Sequence, residues 1–297
     1  MTPANDRVVR IAGGALEVEI LPAIGARLHR LRVDGHDILR TPDDIERHHD
    51  DGWFWGSYPM APWCNRLPAG PGRLAGHEVR LEPNFRDGTA IHGQVSRREW
   101  EADGEGRFRI EAGGDGWPWR YEVEQEIAIV GERELRMSIR LTNRSTDAMP
   151  GGIGFHPWFR DPVEVAIRAA STHPSNFATD ALPVAVTGTT DRRDLGPFPE
   201  GLDATWTDLA SPPVLLAWPT AGLTARISAS STGRFIVAAR PAGIPAVAVE
   251  AQTHAPDSGR RLERHEPGAL DMIEPGDSLE MTMTLSFEPA APRADQT

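Results

Sequence analysis

Between Glu122 and Thr142 the side chains alternate with period two through two successive runs. Val123, Ile127 and Ile129 alternate with Glu122, Glu124 and Glu126, and Leu135, Met137, Ile139 and Leu141 alternate with Arg136, Ser138, Arg140 and Thr142. In a strand successive side chains point to opposite faces, whereas a helix would scatter this pattern around its circumference, so both runs read as strands with one buried face. Val130-Gly131-Glu132-Arg133 between them supplies a turn and closes a hairpin. The facing Glu and Arg rows then form a solvated face of ion pairs, not a catalytic cluster. Shorter strand-like pieces recur at 7–33, 163–167, 214–218, 223–227, 235–239, 246–249 and 279–287, while residues 172–201 read as loop. No amphipathic helix longer than about two turns is evident. With no repeat of fixed period and no linker, the expectation is all-β: one large antiparallel β-sandwich over residues 1–297, with short disordered termini.

Composition removes several function classes. The formal charge is −12, from 31 basic against 43 acidic residues, with no long basic run. That balance argues against nucleic acid and against an anionic membrane surface as partners. All 31 basic residues are arginine. Without lysine there is no Schiff base, no pyridoxal phosphate anchor and no phosphate-loop lysine, so chemistry must run on His, Asp, Glu, Arg, Tyr or one thiol. The single cysteine, Cys64, permits neither an internal disulfide nor a Cys-rich zinc site and fits a reducing compartment. The N-terminal residues lack an apolar signal region, and nowhere do eighteen apolar residues run together, which reads as a cytoplasmic protein. Nothing in the sequence distinguishes a monomer from a homodimer.

Several stretches carry groups that could do chemistry. His48 and His49 precede Asp50 in a polar segment, and read as exposed loop rather than as metal ligands, because a site needs three or four converging donors. Residues 53–76, rich in Trp, Pro and Gly, read as an ordered loop; within it Asn65 and Arg66 follow Trp63. An amide beside a guanidinium fork suits neighbouring hydroxyls, although Arg66 could equally be a surface residue lying along apolar surface. His92 precedes a glycine in AIHG. In GGIGFHPWFR, from Gly151 to Arg160, three glycines allow turning and close approach, and His156 is set among Phe155, Pro157, Trp158 and Phe159. A histidine so placed is either a core residue or a general acid beside a sugar-binding wall. Glu250 ends the apolar run Ala246-Val247-Ala248-Val249, where alternation predicts burial. An unpaired buried charge is expensive, so Glu250 is either a general base or the partner of an arginine.

Together PWCNRLPAG, AIHG, GIGFHPWF and AVEAQTHAPDS, in that order, resemble the aldose 1-epimerases, also called galactose mutarotases. The resemblance runs from about Ile20 to the C-terminal strand. It implies a galactose mutarotase-like β-sandwich with a small-molecule sugar in an open groove and no metal or organic cofactor. It further implies that Glu250 is the general base and His156 the general acid, while Arg66 and His92 hold the ring and its hydroxyls. Asp203, in GLDATWTDL, more loosely resembles a hydroxyl-binding aspartate. Trp158 stands where the family often has tyrosine, which keeps stacking and loses a phenol contact. Asn65-Arg66 favours a neutral sugar over a hexose phosphate. A hexose-phosphate epimerase and a non-catalytic carbohydrate-binding protein are the alternatives on the same scaffold.

Overall fold

The computed structural model describes residues 8–173 and 182–291. The hairpin forms as its alternation requires. Strands Trp117–Ile129 and Glu134–Asn143 pair antiparallel, with Val123 opposite Leu141, Ile127 opposite Met137 and Ile129 opposite Leu135. Val123, Ile127, Leu135, Met137, Ile139 and Leu141 are buried. On the other face Glu124 stands opposite Arg140 at 3.7 Å, and Arg140 also reaches Glu280 at 2.8 Å. Gly131, with φ of 74°, makes the turn.

Pairing spreads outward from the hairpin as one hydrogen-bonded network. Glu134–Asn143 pairs with Ser278–Pro289, which pairs with Leu223–Ala229, which pairs with the second half of Asp203–Trp218. The first half of that long strand pairs instead with Phe235–Ala239, then Ala246–Gln252, Gly154–Arg160 and Ser57–Met60 follow in order. Asp203–Trp218 thus belongs to both halves of an antiparallel β-sandwich. The core between them holds Trp63, Trp100, Trp117, Trp119 and Trp206, all almost wholly buried. A smaller apolar cluster, Trp53, Tyr58, Met60, Cys64, Ile91 and Trp158, lies under the candidate site.

Several sequence expectations need correction. Residues 53–76 are not one loop: they contain the strands Ser57–Met60, Arg66–Leu67 and Gly70–Leu74, the last in a hairpin with His77–Leu81. Ser57–Met60 is covered on both faces, so it shows none of the alternation that marks a half-exposed strand. Strand 163–167 extends as Glu164–His173, and 214–218 is the end of the sixteen-residue Asp203–Trp218, whose continuity Ser211-Pro212-Pro213 hides in the sequence. The loop reading of 172–201 falls partly on 174–181, and that of the termini on 1–7 and 292–297, outside the described residues. Among the described residues the α-helices are Arg47–Asp51 and Ser258–Glu263, and no helix is long and apolar enough to cross a membrane.

The two hairpin faces differ in what they contribute to stability. Arg140→Ala, which removes a half-exposed ion pair, is expected to change unfolding free energy by about 1 kcal/mol or less. Leu141→Ala at the buried face is expected to cost about 2 to 5 kcal/mol. Urea denaturation of both variants measures the difference; similar losses would contradict this division of the faces.

Candidate active site

Strands Gly154–Arg160 and Ala246–Gln252 lie side by side in the sheet interior. Small apolar residues at Ala246 to Val249 and the close-packed glycines before His156 let both strands be buried on both faces. These glycines do not turn the chain. A side chain at Gly152 would reach 2.1 Å from the His254 ring, and one at Gly154 would meet the Ala251 carbonyl at 2.8 Å and Cys64 Sγ at 2.9 Å. The register that pairs Phe155 with Ala251 and Trp158 with Ala248 brings His156 beside Glu250. His156 Nε2 lies 3.1 Å from Glu250 Oε1, and the residues are 4% and 2% exposed. The two groups are neighbours in direct contact within the sheet.

Their burial disfavours the charged form of both groups. Burial pushes the Glu250 carboxyl well above the ordinary carboxylate range; the Asp203 charge adds to the rise and the Arg66 guanidinium opposes it. Burial lowers His156 to about 3, with Arg27 adding to the effect. Tyr58 and Trp158 flank the imidazole, with ring centroids at 4.6 Å and 5.2 Å, and His92 meets it edge-on at 4.8 Å.

All seven residues singled out in the sequence, Asn65, Arg66, His92, His156, Trp158, Asp203 and Glu250, line one cavity of about 300 Å³. Asn65 and His92 both take the left-handed conformation and clasp each other: the Asn65 amide donates to His92 Nδ1 at 3.2 Å, and the His92 amide donates to the Asn65 carbonyl at 3.0 Å. Because Nδ1 accepts, the neutral His92 ring carries its hydrogen on Nε2, and burial holds this ring neutral by lowering its pKa well below the ordinary value. Arg66 is not a loose surface side chain. Its Nε donates to Asp87 at 2.7 Å, and Asp87 is itself fixed by Thr89. The Trp158 indole N–H donates to the Trp53 carbonyl at 2.6 Å, so this side chain offers the cavity its ring face and no donor. Asp203 begins its strand at the cavity edge, opposite Ala239. Glu250 Oε2 and Asn65 Nδ2 are buried without a hydrogen-bond partner among the described residues.

Other lining residues escaped the sequence reading. Trp53, Tyr58 and Phe85 complete the aromatic wall, and Arg86 and Arg240 stand at its rim. Tyr58 sits in a strand with no period, and Arg86 and Arg240 lie in unremarkable polar context. His48 is a further correction: it is fully buried, not an exposed loop residue. Its Nδ1 accepts from Arg27 at 3.0 Å and its Nε2 stands 2.9 Å from His29 Nδ1. Arg27, wholly buried, also donates to the carbonyls of Ile24, Gly52 and Ser96. No group of three or more His, Cys, Asp or Glu side chains among the described residues is placed to hold a metal.

The family model described as aldose 1-epimerase matches residues 7–213, more than half of the chain. The chain belongs to the aldose 1-epimerase family. Solved structures agree in fold along nearly the whole chain. The GalM/aldose epimerase homologue from C. elegans is 18% identical, with 96% of this chain and 99% of that one covered at a TM-score of 0.82. A galactose mutarotase-like protein from Clostridium acetobutylicum is 18% identical, with 94% of each chain covered and a TM-score of 0.79. Galactose 1-epimerase from Lactobacillus acidophilus is 14% identical over 95% and 93% of the two chains, with a TM-score of 0.74. The uncharacterized protein YphB of Escherichia coli (strain K12) is 24% identical over 118 residues, a match spanning 39% of this chain and 40% of that protein's length. Glu250 lies beyond the part matched by the aldose 1-epimerase family model.

The buried histidines of this aldose 1-epimerase family member set its response to acid. Burial lowers His48 to about 2 and His254 to about 4, and lowers His92 well below the ordinary value. Unfolded, each takes up a proton near pH 6.5, so the stability they contribute is present above that value and lost as pH falls, by about 1.4 kcal/mol per pH unit for each group. Glu250 has the opposite sign, since its raised value loses stability as pH rises above the unfolded carboxylate value. These three rings and His156, lowered in the same direction, outnumber the one carboxyl and predict a lower urea midpoint at pH 5 than at pH 7. An unchanged midpoint would mean that these rings are already protonated in the native protein.

Proposed function

We propose that the chain is an aldose 1-epimerase that interconverts the α and β anomers of a free aldose, with Glu250 and His156 moving the protons. The observation that carries this reading is their contact at 3.1 Å. Anomer exchange needs a proton taken from O1 and another given to the ring oxygen O5, and both oxygens are bonded to the same carbon. A base and an acid serving them must therefore be neighbours, as these two groups are.

The steps follow from that placement. The Glu250 carboxylate takes the O1 proton while the His156 imidazolium gives its Nε2 proton to O5. The C1–O5 bond breaks, and the electron pair left on O1 forms the aldehyde double bond. Half a turn about C1–C2 presents the other aldehyde face. Closure reverses the roles: O5 attacks C1, His156 takes the O5 proton and Glu250 returns one to O1. Burial favours the uncharged pair, and the reactive ion pair differs from it only by moving one proton across the existing contact. Asn65, Arg66, His92 and Asp203 hold ring hydroxyls, and Trp158 covers the apolar face of the ring.

Polarimetry of freshly dissolved α-glucose, α-galactose and a pentose tests this reading. Glu250→Gln is expected to lower turnover by about 10² to 10⁴ and to leave binding nearly intact. His156→Ala should lower kcat far more than it raises KM, and Arg66→Ala should mainly raise KM. The proposal fails if the wild type equilibrates no sugar faster than Glu250→Gln does.

A sugar phosphate is the second reading, favoured by one observation. The Arg86 guanidinium at the cavity rim lies over Phe54 and Phe85, at 5.6 Å and 5.5 Å, with no carboxylate partner among the described residues. If Arg86 serves a phosphate, glucose 6-phosphate will equilibrate faster than glucose, and Arg86→Ala will slow only the phosphate ester.

A further inference from the structure

The segment carrying Asn65 and Arg66 is held by two histidines through consecutive amides. The Asn65 amide donates to His92 Nδ1, as described. The amide before it, of Cys64, donates to His254 Nε2 at 2.9 Å. His254 is fully buried and is not part of the cavity wall. Its Nδ1 lies 2.9 Å from the Ala255 carbonyl. A carbonyl only accepts, so Nδ1 carries the hydrogen and Nε2 has the free lone pair that the Cys64 amide requires. The ring fits against Gly152, where any side chain would occupy its place. His254 follows Glu250 by four residues, just past the end of the same strand. It therefore ties the carboxyl-bearing strand to the segment bearing the two polar side chains that also line the cavity.

Resting on the reading of the cavity as a sugar site, we propose that His254 is a positioning residue: by accepting the Cys64 amide it sets the backbone from which Asn65 and Arg66 reach the sugar hydroxyls. Asn65 holds a left-handed conformation with φ of 53°, which asparagine adopts more readily than most residues other than glycine. The reciprocal bonds with His92 secure one side of this turn. The Cys64 bond secures the other, and a buried amide deprived of its acceptor would draw the segment toward another partner. Since Asn65 and Arg66 bind the sugar equally before and during the reaction, their displacement weakens binding and spares the chemical step.

Three forms of the protein test this. His254→Leu fills the space without an acceptor, whereas His254→Gln can bring its side-chain oxygen near the position of Nε2. His254→Leu is expected to raise KM about tenfold or more with kcat changed about threefold at most, and His254→Gln to stay within about threefold of the wild type in both. Hydrogen–deuterium exchange over residues 64–67 should be faster in His254→Leu and near wild type in His254→Gln. That readout does not depend on activity. If the wild type turns over no sugar, the functional reading fails, while exchange still reports the clamp and sugar titration followed by tryptophan fluorescence replaces KM. Unchanged exchange in His254→Leu overturns the proposal, and so does a KM or sugar affinity equal to the wild type's while the fraction of active protein falls. Should His254→Leu not fold, His254→Asn, too short to reach the Cys64 amide, takes its place with the same expected and contrary results.

Discussion

The antiparallel pairing of Gly154–Arg160 with Ala246–Gln252 is the contact on which the site depends. It is an ordinary strand ladder, yet its register decides that an imidazole and a carboxyl share one place in the sheet. Both strands are inside the sheet, with Ser57–Met60 and Phe235–Ala239 on their outer sides, so neither can slip without losing several ladders at once. The same placement buries the pair, at 4% and 2% exposure. Burial favours the uncharged forms of both groups.

Around that pair the aromatic wall is anchored through backbone carbonyls. The Trp53 carbonyl accepts from the Trp158 indole and, at 3.2 Å, from the Tyr58 hydroxyl, so one oxygen orients both rings beside His156. Behind it Arg27 grips the Gly52 carbonyl at 2.7 Å. A buried guanidinium usually demands a carboxylate, and here three carbonyls, the neutral His48 ring and the Tyr58 face take that part. Burial lowers Arg27 to about 10, still charged at neutral pH, and burial lowers His48 and His156 as well, with the Arg27 charge adding to that effect. Support and reactivity are thus coupled through charge as well as through packing.

Some of this was legible in the sequence and some was not, for identifiable reasons. The hairpin over Trp117–Asn143 was readable because one face meets water and the other the core, which writes a period of two into the residues. Ser57–Met60 was not readable, since a strand covered on both sides has no contrast to display. Asn65, Arg66, His92, His156, Trp158, Asp203 and Glu250 were each recognisable by residue type and motif, and they do line one cavity. His48 was misread because its polarity suggests solvent, while its burial depends on Arg27, twenty-one positions away in the chain. Asp87, which holds Arg66, and His254, which holds Cys64, act across 21 and 190 positions, and no local pattern encodes such partners.

By itself the sequence determined the all-β class, the chemistry open to a chain without lysine, and which polar side chains stand apart from alternating faces. Those properties are local: they follow from side-chain periodicity and from the functional groups present. Only the tertiary structure decided that Glu250 and His156 touch, and that two imidazoles clamp the segment before Arg66. Distances between residues far apart in the chain depend on sheet register and close packing, and these are fixed only when the whole core is assembled.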